Sequence, residues 1–176
     1  KVSAQRNFLT FSVYSTMFPY TSAGPIVRYT DIETQLKQRT INISKFGIGA
    51  ELFVKGLAKK VLLADNLSVL YSSICGHPQM SVFTSWLGIL AYTMQLYFDF
   101  SGYSDMAIGL GKMLGFDFNK NFDYPYISTS VSEFWRRWHI SLGSWFRDYI
   151  YIPLGGNRVS TLKHIRNILV VWALTG

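Results

Sequence analysis

The chain has 176 residues, enough for one ordinary domain, and 49% of them are hydrophobic while only 15% are charged. Soluble domains carry about 25% charged residues, so this chain either buries an unusually large surface or lies partly in lipid. Its net charge of +7 lies in clusters between apolar stretches, a pattern typical of membrane flanks rather than nucleic-acid binding, and its single cysteine excludes an internal disulfide framework.

The N-terminal part begins with an apolar segment that contains no charge from Asn7 to Val27. A helix is predicted over Phe8 to Phe18, and Pro19 then breaks it. Arg28 to Lys45 follows as a predicted polar connection.

The segment Phe46 to Leu63 is predicted to be a helix with one polar face. Glu51, Lys55 and Lys59 recur every four residues, so they share a side that lipid would not tolerate. That face is expected to look into a bundle, a polar cavity or the membrane interface. Asp65 to Gln79 holds a short apolar run and a turn.

The uncharged stretch from Ser81 to Phe98 is the clearest candidate for a membrane span. Ser104 or Asp105 is predicted to cap a second helix that ends near Leu114. Three glycines in this second helix are spaced for close contact with another helix: Gly109, Gly111 and Gly115.

Ser128 to Tyr149 has the pattern of an amphipathic helix, either continuous or broken, with Glu133 and Arg137 as an i, i+4 ion pair. Its uncharged part, Trp138 to Phe146, is too short to span a bilayer, which favours an interfacial or re-entrant helix. A tight turn is predicted at Pro153 to Asn157.

Both ends of the chain suggest a piece of a longer protein. Lys1 is not an initiator methionine, and the apolar helix that starts at Ile168 stops after too few residues to cross a bilayer. We therefore expect residues 1–176 to be a single internal fragment of a membrane domain, truncated at both ends.

Among the histidines, His139 is the candidate for chemistry because aromatic rings and two arginines surround it. Burial and the neighbouring cations favour the neutral imidazole, the form that accepts a proton. The alternative is a buried histidine bonded to a backbone carbonyl. Arg136 and Arg137 could hold a phosphate or carboxylate, or else contact lipid phosphates. His164 is interpreted as a residue at the level of the lipid headgroups.

Two carboxylates, Asp99 and Asp105, lie in or near apolar stretches, a placement that suggests function. The alternative is that they cap a helix and hold a turn. Asp148 is predicted to form a structural ion pair with Arg147. No cluster of metal ligands is predicted.

Three motifs, the first of them in two parts, make the sequence specific. Residues 134–142 read Phe-Trp-Arg-Arg-Trp-His-Ile-Ser-Leu, and residues 145–158 read Trp-Phe-Arg-Asp-Tyr-Ile-Tyr-Ile-Pro-Leu-Gly-Gly-Asn-Arg. Residues 95–105 and 24–28 add Gln-Leu-Tyr-Phe-Asp-Phe-Ser-Gly-Tyr-Ser-Asp and Gly-Pro-Ile-Val-Arg. Taken in chain order, they closely resemble the membrane-bound O-acyltransferase family, most of all its bacterial branch of alginate O-acetyltransferases and teichoic-acid D-alanine-transfer proteins.

This resemblance implies an all-α, polytopic membrane bundle with short interfacial or re-entrant helices, in the bacterial cytoplasmic membrane. It implies an enzyme that takes an acyl group from a cytoplasmic thioester, such as acetyl-CoA or an acyl carrier protein thioester, with no bound cofactor. The acceptor would be the hydroxyl of a cell-surface or exported polysaccharide, or a partner acyltransferase outside the membrane. We expect O-acetyl transfer and no nucleic-acid partner.

The resemblance also assigns roles to residues. His139 matches a supporting catalytic histidine, while the main histidine is expected beyond Gly176, so the fragment alone should be inactive. Substrate or donor binding is expected of Arg136, Arg137, Trp138, Ser141, Asp99 and Asp105. Two alternatives stay open: a non-enzymatic scaffold or export subunit of the same fold, and a transporter whose path is lined by Lys55 and Asp99.

Overall fold

The computed structural model describes residues 6–20, 24–77 and 81–175, which form helices and connections without a β-strand. The parts of the predicted segments at 1–5, 21–23, 78–80 and 176 lie outside the described residues. The all-helical prediction is confirmed. The α-helices are α1 (Phe8–Ser15), α2 (Tyr29–Lys37), α3 (Ile43–Ala58), α4 (Asp65–Cys75), α5 (Val82–Met113), α6 (Val131–Arg137), α7 (Ile140–Phe146) and α8 (Thr161–Thr175).

Two compact units divide the chain, one at residues 1–119 and the other at 120–176. In the first unit, α2 occupies half of the stretch predicted as a polar connection, so that prediction is wrong. The Asp31 carboxylate accepts a hydrogen bond from the Arg28 amide at 3.2 Å at the start of α2. Lys37 and Glu33 form an ion pair near its end, at 2.9 Å. These local bonds stabilise a short helix whose hydrophobic content is low.

The predicted helix over Phe46 to Leu63 is confirmed, but it starts earlier and does not stay α-helical. The Asn42 side chain accepts a hydrogen bond from the Lys45 amide at 2.7 Å and caps α3. After α3, the backbone widens into a π-helical turn at Lys59–Ala64 and then continues as α4. On the predicted polar face, Glu51 pairs with Lys55 at 2.6 Å.

The segment from Val82 to Met113 is one uninterrupted helix, so the predicted helix start at Ser104 or Asp105 is wrong. Asp105 lies in the middle of α5, and its carboxylate pairs with Lys59 rather than with backbone amides. Ser81 instead caps the helix at its true beginning. In the described ranges, no helix combines the length and the apolar character needed to cross a membrane.

Glycines bring α3 and α5 into backbone contact at two levels, with the helices running antiparallel. Gly56 faces Gly102, and Gly49 faces Gly109 two helical turns away. A Cβ added to Gly56 would lie 2.5 Å from the Gly102 carbonyl oxygen, so no larger residue fits without separating the helices. The predicted close contact at Gly109 is confirmed.

Apolar side chains from the connections of the first unit form a small core around α2. Its buried members are Met17, Val27, Ile32, Phe116 and Phe118. The Tyr14 hydroxyl donates to the Val27 carbonyl at 3.0 Å and ties α1 to this core.

The second unit contains a short 3₁₀ turn (Pro125–Ile127), α6, α7, a π-helical turn (Arg147–Tyr151) and α8. The amphipathic helix predicted from Ser128 to Tyr149 is therefore present but broken, with the break at Trp138 and His139. The predicted pairs Glu133–Arg137 and Arg147–Asp148 are both confirmed, at 2.8 and 2.7 Å.

Candidate functional site

His139 lies between α6 and α7 with a φ of +45°, in the left-handed region that residues other than glycine rarely adopt. Such a conformation costs on the order of 1–3 kcal/mol and persists where surrounding contacts impose it. Two backbone bonds do so here. The Asp123 amide donates to the Arg137 carbonyl at 2.9 Å, and the Ile140 amide donates to the Asn121 carbonyl at 2.9 Å.

Asn121 acts as a cap for α7 from a distant part of the sequence. The residue at the N-cap position, His139, makes no side-chain cap bond. Instead, the buried Asn121 Oδ1 accepts from the Ser141 amide at 3.1 Å and from the Ser141 hydroxyl at 2.9 Å. The sharp break before α7 is thus fixed by both the main chain and the side chain of Asn121.

The imidazole of His139 lies in an aromatic and largely apolar environment. The Phe122 ring is almost parallel to it, with 6.4 Å between the centroids and 7° between the planes. Burial lowers the pKa of His139 to about 4, because removal from water disfavours the charged form. The imidazole is therefore neutral at physiological pH.

His139 also borders a cavity of about 270 Å³ in the second unit. One wall comes from the α6–α7 region and the other from α8. The lining residues are Trp135, His139, Leu142, Gly143, Phe146, Arg147, Tyr151, Ile168, Val171, Trp172 and Thr175. Most of this surface is apolar, so the cavity suits an acyl chain or another apolar group more than a charged one.

The loop after the π-helical turn is attached to α8 by Asn167, which is fully buried. Its Nδ2 donates to the carbonyls of Leu154 and Gly156 at 3.0 and 3.1 Å. Gly155 and Gly156 have φ values of +99° and +56°, which explains the paired glycines of the predicted turn. Tyr151 precedes this loop, and its hydroxyl lies 3.0 Å from His164 Nε2.

Of the predicted binding residues near His139, some bond or pack within the protein, and one is exposed to solvent. Arg137 donates to Glu133 through Nε and Nη2, at 3.0 and 2.8 Å, and to the Asp123 carbonyl at 3.2 Å. Trp138 packs edge-to-face on Phe122 with centroids 5.1 Å apart. By contrast, Arg136 is exposed and makes no hydrogen bond or ion pair within the described part of the chain.

The two predicted carboxylates, Asp99 and Asp105, lie on α5 in the first unit. Lys60 Nζ contacts Asp99 and Asp65, each at 2.8 Å, and Lys59 Nζ contacts Asp105 at 2.5 Å. Both carboxylates are therefore neutralised by lysines of the π-helical turn. Within the described ranges, no three His, Cys, Asp or Glu side chains are grouped so that they could hold a metal ion.

Comparison with known proteins places these features in a family. The profile of the membrane-bound O-acyltransferase family matches residues 3–175. The chain belongs to this family. A probable alginate O-acetylase of Pseudomonas fluorescens is 51% identical over 98% of the chain, and a peptidoglycan O-acetyltransferase of Helicobacter pylori is 39% identical over 97%. A teichoic acid D-alanyltransferase of Bacillus subtilis is 34% identical over 77%.

The chain spans about a third of the length of these curated relatives, at 35%, 33% and 35% of the three proteins. The resemblance to the membrane-bound O-acyltransferase family that the sequence motifs suggested is confirmed over nearly the whole chain.

Several residues of the candidate site were missed at the sequence level. Of the predicted binding and catalytic residues, only His139 is among those that line the cavity. The remaining wall had a detectable signal, because Ile168, Val171, Trp172 and Thr175 recur with helical spacing and share one face of α8. Asn121 gave no such signal, since it lies in an irregular loop far from Ser141 in sequence. His164, interpreted as a headgroup-level residue, is partly buried against Tyr151.

Proposed function

We propose that the complete protein is a membrane-bound O-acyltransferase that transfers an acyl group, preferentially acetyl, from a thioester donor to a hydroxyl of an exported or cell-surface polysaccharide. The observation that carries this proposal is the neutral imidazole of His139, fixed at the wall of an apolar cavity. The relatives named as acetylating alginate and peptidoglycan support the acetyl group and the polysaccharide acceptor.

His139 is proposed to support catalysis rather than to act as the principal base. A hydroxyl that attacks a thioester must lose its proton, and a base is most effective when its pKa is close to the working pH. At a pKa of about 4, His139 accepts a hydrogen bond well but takes up a proton poorly. Its role is therefore to orient the attacking hydroxyl or a neighbouring base. We propose that the principal base is the second histidine that the family resemblance implies.

Arg136 is the proposed contact for the phosphate of the donor. It is exposed, whereas Arg137 on the same helix is engaged by Glu133. A guanidinium binds phosphate through two parallel hydrogen bonds, and the phosphopantetheine arm of acetyl-CoA or of an acyl carrier protein supplies that phosphate. For Asp99 and Asp105, their lysine pairs favour a structural role in the complete protein over direct contact with substrate.

A multi-pass position in the bacterial cytoplasmic membrane is part of the same proposal. It rests on the family and on the large apolar side chains that α3, α4 and α5 expose. Among them are Val54, Val69, Phe83 and Trp86, each at least 60% exposed. Water would not favour such a surface, but lipid or the rest of the protein would cover it.

The test is an acetylation assay of surface polysaccharide in cells with and without the full-length gene. The gene should add O-acetyl groups, and His139→Ala should lower the transfer at least tenfold at normal expression. His77→Ala is the matched control, because His77 is exposed and belongs to the other compact unit. Acetylation that is independent of the gene would instead favour the non-enzymatic scaffold or export subunit.

The role of Arg136 is tested separately with purified full-length protein and acetyl-CoA. Arg136→Ala should raise the KM for acetyl-CoA several-fold and leave kcat nearly unchanged. Arg158→Ala, which removes another exposed arginine of the same unit, should change neither constant. An unchanged KM in Arg136→Ala would remove this residue from the donor site.

A further inference from the structure

Tyr151 and His164 form a polar pair at the edge of the cavity that the proposed mechanism has not yet used. The Tyr151 hydroxyl and His164 Nε2 are 3.0 Å apart, and the two ring centroids are 6.2 Å apart. Tyr151 lines the cavity together with His139, whereas His164 lies on α8 behind it. The pair therefore connects the hydroxyl of a cavity-lining residue to a second imidazole.

The position of Tyr151 is fixed independently of this bond. Its carbonyl accepts a hydrogen bond from the Gly156 amide at 2.8 Å. A Cβ on Gly156 would lie 3.5 Å from the Tyr151 ring, so the loop runs beside the ring. Asn167 holds the same loop to α8 through the Gly156 carbonyl. Because the ring is held by the backbone, its hydroxyl is pre-organised.

Two other polar side chains of the cavity wall, Thr175 and Arg147, are engaged by neighbours on their own helices. The Thr175 hydroxyl donates to the Val171 carbonyl at 2.7 Å. The Arg147 guanidinium donates to the Asp148 carboxylate at 2.7 Å. The Tyr151 hydroxyl, by contrast, has its partner His164 on another helix. It keeps the capacity for a further hydrogen bond, since a phenol can accept one bond and donate another.

We propose that Tyr151 is a catalytic residue that donates its hydroxyl proton in a hydrogen bond to the carbonyl oxygen of the acyl thioester. His164 is a positioning residue: in the tautomer that carries the proton on Nε2, it donates to the Tyr151 oxygen and turns the tyrosine proton toward the cavity. This inference rests on the proposed acyltransferase function.

In the proposed step, the acyl group passes from the thioester sulfur to the acceptor oxygen. The acceptor oxygen forms a bond to the acyl carbon while its proton passes to the base. The carbonyl oxygen becomes an oxyanion that the Tyr151 hydroxyl stabilises without giving up its proton. The C–S bond then breaks, the electron pair leaves with sulfur, and the thiolate takes the proton from the base. The products are the ester and the free thiol.

The experiment measures kcat and KM for acetyl-CoA with the purified full-length protein and its Tyr151→Phe, His164→Ala and double variants. Removing one oxyanion donor typically lowers kcat on the order of 100-fold, and this loss is expected for Tyr151→Phe with KM unchanged. His164→Ala should lower kcat about tenfold or less, because a residue that acts only by orienting Tyr151 cannot cost more than its loss. Tyr149→Phe, an exposed neighbour that stacks on Trp145, is the matched control.

The double variant distinguishes positioning from packing. If His164 acts only through the hydroxyl, Tyr151→Phe with His164→Ala should be no slower than Tyr151→Phe alone. Additive losses of kcat in the double variant would overturn the role of His164. An unchanged kcat in Tyr151→Phe would overturn the role of Tyr151, but transfer by the wild-type protein would still support the proposed function. A wild-type protein without transfer would overturn both.

Discussion

Replacing Asn121 by alanine tests whether this residue holds the break before α7. The substitution removes the acceptor of two hydrogen bonds, from the Ser141 amide at 3.1 Å and from its hydroxyl at 2.9 Å. Loss of a helix cap costs about 1 kcal/mol, and loss of a buried hydroxyl bond costs about 1 kcal/mol more. Local opening of the start of α7 should therefore become easier by about 2 kcal/mol.

Hydrogen exchange reports this opening directly. A change of 2 kcal/mol corresponds to about a 30-fold faster exchange of the Ser141 amide in the full-length protein. Ser141→Ala is the matched variant, because it removes the hydroxyl bond and keeps the amide bond to Asn121. It should accelerate exchange only about 5-fold.

The two variants together can refute the reasoning. Equal exchange in Asn121→Ala and Ser141→Ala would show that the amide bond contributes nothing. Unchanged exchange in both would show that the backbone bonds of the Asn121 loop suffice to hold the break. Amides of α5, in the other unit, should exchange at the wild-type rate and serve as an internal reference.

Three further predictions concern stability. Because burial lowers the pKa of His139 to about 4, the unfolded chain binds more protons than the folded one between about pH 6.5 and 4. The free energy of unfolding should therefore fall as the pH drops through this window. His139→Asn should remove this part of the pH dependence. Gly102→Ala places a Cβ 2.7 Å from a carbonyl oxygen of α3, so it should lower the free energy of unfolding by about 1–3 kcal/mol and lower the thermal unfolding midpoint. Gly47→Ala adds a Cβ with nothing within 4 Å, so in the same thermal melt it should be neutral or stabilising. Asn167→Ala leaves two carbonyls unpaired and should increase proteolysis of the loop after Tyr151 at least several-fold, and wild-type cleavage rates would contradict its holding role.

The sequence predicted the helices where apolar periodicity was long and failed where side-chain partners come from elsewhere. The break at Asp105 was predicted from local capping chemistry, yet this carboxylate pairs with Lys59 on another helix. The helix α2 was missed because its low hydrophobic content resembles that of a connection. At Asp105 the deciding contact is a tertiary ion pair, and in α2 it is a small set of local polar bonds.

For the candidate site, the motifs identified His139 but not the residues that make it a site. Tyr151 lies inside a motif that was recognised as a whole, with no pattern to show that its hydroxyl meets His164. Asn121 acts through space on Ser141, and such pairs have no local sequence signature. The pairing of Asp148 with Arg147 was predictable, since the two residues are adjacent.

Two independent constraints act on position 139, one on its side chain and one on its main chain. The left-handed φ admits glycine freely, tolerates asparagine, aspartate and histidine, and penalises β-branched residues strongly. The proposed chemistry requires an uncharged side chain that accepts a hydrogen bond. Only histidine and asparagine satisfy both conditions, so asparagine is the substitution by which this position could change its chemistry while the surrounding chain keeps its path.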